Sequence, residues 1–596
     1  MKKKLILFIA TALTLSACDD LFEPAIENHQ QVDQMYDDQE YMRGVLQTVY
    51  SQIPGYYDNS EYATDDAVTN EPGNTFMQMA TGAWTNTSYN PLSQWTNSFN
   101  AIQYIHLYLL HAPNVTWSTN EEQNALFARR LEGEAYGLRG MFYYFLMRAH
   151  AGFGTNGELL GVPLVLEFME GGNANYNMPR ASFQECVDQI NSDLKRAEEL
   201  LPLEYNDVTE VPAKFQDICT DIANYNNVMG DKAHLLFNGL AAKAFRARLA
   251  LLAASPLYQD ASNATTWADA ADLTADVLDY NGGLGGFETD PVRGLEYYSP
   301  TVVSSISNGN NPKEILWRNN SNSKSSSGGD KDQESANFPP SLYGTGRMNP
   351  SQNLVDAFPM VNGYPIDDVN SGYDANNPYA NRDPRLDKYI LHNGSVISET
   401  SVTINITNGS ADGINVTQNS STRTGYYMKK RLRWDVSCDP AASANQPHYT
   451  PRIRYTEMYL NYAEAANEAW GPKGTGSHGY SAYDVIKAIR LRAGIGGTDD
   501  PYLEACANSQ EQMRELIRNE RRLELCFEGF RFWDVRRWKV DMNLLNEPVY
   551  GLQWNGESYE RFLVEERSYE DYMYFSPIPN SEVLKYDQLI QNKGWE

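Results

Sequence analysis

Hydrophobic side chains recur at helical spacing through both ends of the chain. From Glu121 to His150, Leu126, Leu131, Ala135, Leu138, Phe142, Phe145 and Ala149 fall three to five residues apart and line one broad face, which predicts a long helix. The same pattern predicts helices over about 41–53, 182–200, 231–253, 454–469, 480–492 and 510–527. Ser182 and Glu185 form a Ser-x-x-Glu capping box, Pro202 closes that helix, and Ser255-Pro256 closes the next, over 231–253. Trp95 opens a helix toward Ile105 and is expected in the core.

Between these helical parts the pattern changes. Residues 281–346 are rich in Gly, Ser and Asn, and Ser321 to Asp332 is almost a linker. Residues 393–424 alternate Thr, Ser, Asn and Val, as in Ser401-Val402-Thr403-Ile404-Asn405-Ile406, which predicts a small surface hairpin. The expected fold is all-α in the main: helix pairs resembling tetratricopeptide units, long irregular loops and a small β-hairpin insertion, although the ~34-residue consensus is not matched. Residues 41–596 are expected to form a single domain. Its helical scaffold comprises 41–280 and 440–596, with a loop-rich, ligand-facing segment at 281–439.

The amino terminus carries Lys2 to Lys4, an apolar run from Leu5 to Leu15, then Ser16-Ala17-Cys18-Asp19-Asp20. This is the layout of a secretory signal over 1–17, its apolar run far short of the roughly 20 residues a spanning helix needs. Leu15-Ser16-Ala17-Cys18 resembles a bacterial lipobox, which makes Cys18 the lipidated first residue of the mature chain and 18–40 its tether. The acidic pair after Cys18 resembles a surface-export signal of Gram-negative lipoproteins.

Net charge is −29, and loss of the three leader lysines takes the mature chain to −32. Nucleic acid is a poor partner for such a surface, and strongly anionic polysaccharides need a local basic patch. Beyond Cys18, the cysteines at 186, 219, 438, 506 and 526 are widely spaced without CxxC, so neither a disulfide framework nor a zinc site is indicated. The histidines form no HxxxH or HxH. Asp330 and Asp332 are too few for a calcium site, and no cofactor is expected. Gly471 to Ser477 has phosphate-loop composition but lacks GxxxxGK[ST] and follows a helix, so it reads as a turn. Glu520, Glu524 and Glu528 share a helix face, near enough for two carboxylates to act on a glycosidic bond. Interleaved Arg521, Arg522, Arg531, Arg536 and Arg537 would lower their pKa values, so a structural ion-pair network is expected instead.

With 39 Tyr and 11 Trp the chain is rich in flat, partly polar side chains suited to stacking on sugar rings. Candidate ligand aromatics are those in loops: Trp84 and Tyr89 in the stretch 82–94, then Tyr297, Tyr298, Trp317 and Tyr343 in the middle segment. Asp65, Asp66, Asn319 and Asn320 are candidates for fixing sugar hydroxyls.

Several segments, in order along nearly the whole mature chain, resemble the SusD/RagB family. They include Glu132-Gly133-Glu134-Ala135 with Tyr143-Tyr144-Phe145-Leu146, Gly161-Val162-Pro163, Ala253-Ala254-Ser255-Pro256-Leu257-Tyr258, and Pro350-Ser351-Gln352-Asn353-Leu354. Asn381-Arg382-Asp383-Pro384-Arg385, Arg454-Tyr455-Thr456-Glu457, Asn461-Tyr462-Ala463-Glu464-Ala465 and Glu520-Arg521-Arg522-Leu523-Glu524 continue the series. Glu528-Gly529-Phe530-Arg531-Phe532-Trp533-Asp534 and the closing Gln591-Asn592-Lys593-Gly594-Trp595 complete it. The family's Gly-Asp-x-Pro turn is stretched here over Gly152 to Pro163. The resemblance implies a lipid-anchored protein of the outer-membrane surface that catalyses nothing. Its partner would be a SusC-like TonB-dependent transporter, to which it delivers captured oligosaccharides. Peptide capture, as in the RagB branch, is the alternative; a surface glycoside hydrolase or a purely structural surface protein are the other classes.

Overall fold

The computed structural model describes residues 35–170, 175–306, 310–319 and 329–596. The signal peptide, Cys18, most of the tether and Asn320 lie outside the described residues. Helices α1 (Gln39–Ser51), α2 (Trp95–His111), α3 (Glu121–His150), α4 (Phe183–Leu200), α5 (Gly239–Ala254), α6 (Trp267–Tyr280) and α7 (Tyr455–Trp470) pack each against the next. Helices α8 (Ala482–Ala493) and α9 (Gln510–Glu524) close the array on α7. This is the all-α architecture of helix pairs expected from the sequence, with small strand pairs inserted. Among the described residues no helix is long and apolar enough to cross a membrane.

Local signals explain the helix starts. Asn120 accepts from the Gln123 amide at α3, and capping boxes form at Ser182/Glu185, Thr266/Asp269 and Ser481/Asp484. The helix expected from Asp231 begins only at Gly239, because Asn238 is the residue whose side chain caps it, accepting from Ala241 N at 2.8 Å. Close packing needs small residues on α3: a Cβ at Gly137 would lie 2.2 Å from the Phe237 ring, and one at Gly140 2.8 Å from Leu194. One large apolar core runs through these helices from Met42 to Leu589.

The middle segment has its own core, built on Phe338, Leu354, Phe358, Tyr389, Ile404, Tyr427 and Trp434, and joined by Leu523 and Phe527 from α9 and its turn. The expected hairpin is present as a two-residue ladder, Val396–Ile397 with Val402–Thr403. Strand β1 (Ala67–Thr69) pairs with β3 (Met348–Pro350), and β2 (Ile315–Arg318) with β4 (Pro451–Arg454), all antiparallel. A longer hairpin, β5 (Val549–Trp554) with β6 (Tyr559–Glu565), was not foreseen. The stretched turn after α3 pairs Gly152–Phe153 with Leu159–Leu160, and Gly471 to Ser477 is part of the turn between α7 and α8.

Buried ion pairs join the two cores. Arg385 reaches Asp383 at 2.6 Å, Glu520 at 2.8 Å and Glu524 at 3.0 Å, all fully buried. Arg490 also meets Glu520 at 2.7 Å, Arg492 meets Glu524 at 3.0 Å, and Glu528 is held by Arg454 at 2.5 Å and Lys430 at 2.7 Å. Burial pushes the Glu520 and Glu528 carboxyls up. Arg385 and Arg490 at the first, and Arg454 and Lys430 at the second, outweigh it, so both lie below the ordinary carboxylate value. The Glu/Arg-dense stretch is therefore a structural network, as expected, but not through the partners expected: Arg521 and Arg537 pair with Asp534, Arg522 and Arg531 with Asp65, and among the described residues none of the interleaved arginines pairs with Glu520, Glu524 or Glu528.

Arg385→Met leaves Asp383 buried without its cation and Glu520 and Glu524 with one cation fewer each, and is expected to cost about 3–5 kcal/mol. The readout is a lowered guanidinium midpoint at unchanged m, with Arg385→Lys recovering only part because a point charge cannot span three carboxylates. A loss under about 1 kcal/mol would remove the network from its structural role. Glu61 behaves oppositely: burial and then the nearby Asp58 raise its carboxyl from 4.5 to about 7, and one of its oxygens has no hydrogen-bond partner. The folded chain keeps Glu61 protonated up to about 7 while the unfolded chain ionises it near 4.5, so its stabilising contribution is lost as pH rises across that window. Glu61→Gln should flatten that stretch of the stability–pH curve and raise stability at pH above the window.

Candidate functional site

The structure buries most of the side chains that the sequence offered as ligand contacts. Asp65 and Asp66 are not available: Arg531 forks onto Asp65 at 2.9 Å through both nitrogens, and Arg522 bonds Asp65 at 2.8 Å and Asp66 at 2.7 Å. Burial raises both carboxyls. Arg522 and Arg531 outweigh it at Asp65, which lies below its ordinary value, whereas Asp66, beside the Asp65 charge, stays above. Trp84 is 2 % exposed because its loop folds back onto the C-terminal segment, where Trp84 packs against Trp595 at 4.8 Å between ring centres and against Phe532.

The middle-segment candidates divide in the same way. Tyr297 is buried, its hydroxyl 2.8 Å from that of Tyr57 and its ring 4.2 Å from the Arg454 guanidinium. Tyr298 is buried with Val303, Ile315 and Tyr449. Trp317 sits in β2 facing the helices and donates its indole N–H to Leu235 O at 2.9 Å. Asn319 extends the β2–β4 pairing, exchanging hydrogen bonds with Thr450 at 3.0 and 2.6 Å. Loop composition misled here, because burial was set by partners far along the chain.

Two candidates remain on the surface: Tyr89 at 73 % exposure and Tyr343 at 58 %. Tyr343 caps the short turn Pro340–Leu342 in a left-handed conformation, φ 62°. Its loop lies beside the turn that follows β1: Asn70 donates to Thr345 O, Gly346 O and Ser421 O at 2.9–3.2 Å, and Arg347 donates to Asn70 Oδ1 at 3.0 Å.

A cavity of about 510 Å³ opens where the ends of the helices meet the middle segment. The loop after α4 contributes Glu204, Tyr205 and Asn206; the approach to α5 contributes His234 and Asn238; the end of α6 contributes Tyr280 and Asn281. Asn310, Asn311, Lys313 and Ile315 come from the middle segment, and Tyr455 from the start of α7. Tyr280, 44 % exposed, is held by a 2.9 Å hydrogen bond to Glu204, which leaves its ring face open. Asn311 is anchored through Leu316 O at 3.1 Å and Arg318 Nε at 2.9 Å. Burial and the nearby Arg318 keep His234 below its ordinary pKa, against a 2.8 Å contact with Asp231 O. The volume suits a ligand of a few rings, and amides with phenols match alternating hydroxyl donors and acceptors. Glu204 is the only carboxylate on the lining, so the cavity lacks the acid pair that glycoside hydrolysis uses. The sequence signal for this site was weak: its asparagines are scattered from 206 to 311 and converge only through the fold.

A second cleft of about 270 Å³ is mostly apolar, with Trp95, Phe99, Tyr176, Met178 and Tyr586 on its walls. Among the described residues no group of three or more His, Cys, Asp or Glu side chains could hold a metal ion. Among the described residues the five cysteines are buried and form no disulfide.

Comparison with known proteins gives a consistent result. A family model described as "SusD family" matches residues 313–595, and one described as "Starch-binding associating with outer membrane" matches residues 20–216. A SusD-like protein of Formosa agariphila is 31% identical over 168 residues, a stretch that spans 28% of this chain and only 29% of that relative. Two solved structures from Bacteroides fragilis share the fold. One, a SusD-like protein, has TM-score 0.71 and 24% identity, with 96% of this chain and 99% of that one covered. The other, a SusD-like carbohydrate binding protein, has TM-score 0.68 and 22% identity, with 93% and 99% covered.

The different fates of the two first-loop aromatics predict different costs of truncation. Trp84→Ala should destabilise the fold by about 3–5 kcal/mol, as loss of a buried indole does, whereas Tyr89→Ala should change stability by no more than about 0.5 kcal/mol. Equal effects in denaturant unfolding would contradict the packing of Trp84 against Trp595.

Proposed function

The chain belongs to the SusD/RagB family, and we propose that it is a binding protein that captures oligosaccharides at the outer-membrane surface. In this reading Cys18 carries the lipid anchor, and the cargo passes to a SusC-like TonB-dependent transporter. The observation that carries the proposal is the open cavity lined by Tyr280, Tyr205 and Tyr455 with Asn206, Asn281, Asn310 and Asn311. Amide side chains present donor and acceptor together, and a half-exposed phenol ring offers a face to sugar C–H groups. The SusD-like carbohydrate binding protein of Bacteroides fragilis supports the ligand class, and the outer-membrane description of the matched family model supports the location. The absence of a carboxylate pair on the lining, with Glu520, Glu524 and Glu528 engaged in ion pairs, favours binding over hydrolysis. Tyr89 and Tyr343, each exposed on its own loop, are proposed as additional stacking surfaces.

The test is calorimetric titration of the mature chain from Asp19 onward with neutral oligosaccharides and, separately, with peptides. Saturable glycan binding is expected, weakened about tenfold by Tyr280→Ala, the equivalent of roughly 1.4 kcal/mol. Binding of peptides alone would replace the substrate class with the RagB-like one. Glycan binding that is lost in Tyr343→Ala but unchanged in Tyr280→Ala would move the site to the Tyr343 loop.

A further inference from the structure

In a chain of net charge −29, arginines that enter the interior find carboxylates or carbonyls: Arg248 takes Glu457 at 2.5 Å, Arg385, Arg454, Arg490, Arg492, Arg521 and Arg537 are paired with acids, and Arg180, Arg382 and Arg536 donate to backbone carbonyls. Arg148 on α3 and Arg452 on β4 do not. Among the described residues neither forms an ion pair, and neither guanidinium donates a hydrogen bond to another side chain or to a carbonyl; Arg148 Nε is buried without an acceptor. Their only described contacts are with rings: Arg148 lies 4.5 Å from the Trp533 ring and 5.1 Å from Phe145, and Arg452 4.9 Å from Trp317. Ring faces satisfy part of the charge but none of the in-plane N–H groups. Burial alone draws the Arg452 guanidinium down to about 10.

Both arginines line the same slot, about 50 Å³, between the 53–58 loop, α3, α5 and the turn after α9. Three carboxylates stand near or on it; two are charge-paired, and the third, Asp58, sets one anion on the lining against the two unpaired guanidinium groups. Glu528 is occupied by Arg454, Lys430 and the Tyr56 hydroxyl, and Glu457 by Arg248. Asp58 accepts from Ser60 N at 2.9 Å and pairs with neither arginine. The slot is too small for a sugar ring and large enough for a few water molecules or one compact anionic group. Exposed Gly55 stands at its rim.

We propose that Arg148 and Arg452 form an oxyanion subsite that takes a carboxylate or sulfate-ester group, making acidic oligosaccharides, uronates or sulfated sugars, a ligand class of this protein. Planar guanidinium forks match such groups through paired, charge-assisted hydrogen bonds, and the acid group enters the slot while its sugar stays at the rim. The subsite itself stands on the two unpaired arginines; that its anion is carried by a sugar rests on the capture reading above.

The experiment measures thermal unfolding and calorimetric binding at constant ionic strength, with inorganic sulfate, glucuronic acid and glucose as probes. Wild type should gain Tm saturably with glucuronic acid and with sulfate, and not with glucose. Arg148→Met and Arg452→Met should weaken both acidic probes about tenfold or more. Without anion, Arg452→Met should match or exceed the wild-type Tm, because it removes an uncompensated charge while keeping the stem, so loss of binding cannot be put down to unfolding. Neutral-oligosaccharide binding, read separately through Tyr280→Ala, should survive both arginine variants, which separates failure of this subsite from failure of glycan capture. Sulfate effective without glucuronic acid would overturn the ligand-borne acid in favour of a free inorganic anion. Equal Tm shifts in wild type and both variants, or none in any, would overturn the subsite.

Discussion

The architecture depends on a set of charges removed from water. Helix α9 and its turn deliver Glu520, Glu524 and Glu528 to the junction between the helical array and the middle segment. Each meets cations from other parts of the chain: Arg385 and Lys430 from the middle segment, Arg490 and Arg492 from α8, Arg454 from β4. Each ion costs several kcal/mol to desolvate, and the Coulombic return comes only when all partners stand at hydrogen-bonding distance. A partly docked middle segment would bear the desolvation cost without the return. The network therefore acts as an all-or-none clasp, holding a segment whose own regular structure is limited to short helices and two- to four-residue strand pairs.

That an ion-pair network would form was legible in the sequence from the density of Glu and Arg after 520, although its cations, Arg385, Lys430, Arg454, Arg490 and Arg492, come from elsewhere in the chain and were not; the strongly periodic helices with capping residues were legible from local signals. Helix α6 was not anticipated: its buried face is Ala270, Ala271, Thr274, Ala275, Val277 and Leu278, small residues that give a weak hydrophobic pattern. The β5–β6 hairpin escaped notice because Gly551 interrupts its strand pattern and Thr424 O supplies a backbone partner from elsewhere. The candidate contacts failed for a deeper reason. Trp84 and Trp595, or Asp65 and Arg531, are separated by hundreds of residues, so no local composition tells a loop aromatic that stacks on a ligand from one that plugs the core.

The polar cavity follows from the clasp. Its walls come from the ends of α4 and α6, the approach to α5, the start of α7 and the strand of the middle segment, and only docking of that segment closes the fifth side. Helix ends are rigidly placed by the packing of α3 through α7, whereas Asn206 and Asn310 come from exposed loop positions. A scaffold that fixes Tyr280 and Tyr455 while leaving loop amides adjustable can accept rings of differing substitution at modest affinity, as the proposed capture and hand-over require.

The charge distribution then sets what range of ligands such a site can tolerate. A chain at −29 repels anions at a distance, yet that repulsion is carried by exposed groups and decays within a Debye length of about 8 Å at physiological ionic strength. Two guanidinium groups inside a ring-lined slot act at contact distance, where solvent screening is weakest. Long-range field and local site therefore do different work: the field slows encounter with acidic ligands, while the slot governs how long one stays. Salt should accordingly speed association of an acidic ligand by screening the surface, while leaving the contact between its acid group and Arg148 and Arg452 comparatively intact. An acidic surface and a cationic slot are compatible in one molecule for that reason, and the overall charge of the chain is a poor guide to the charge of its cargo.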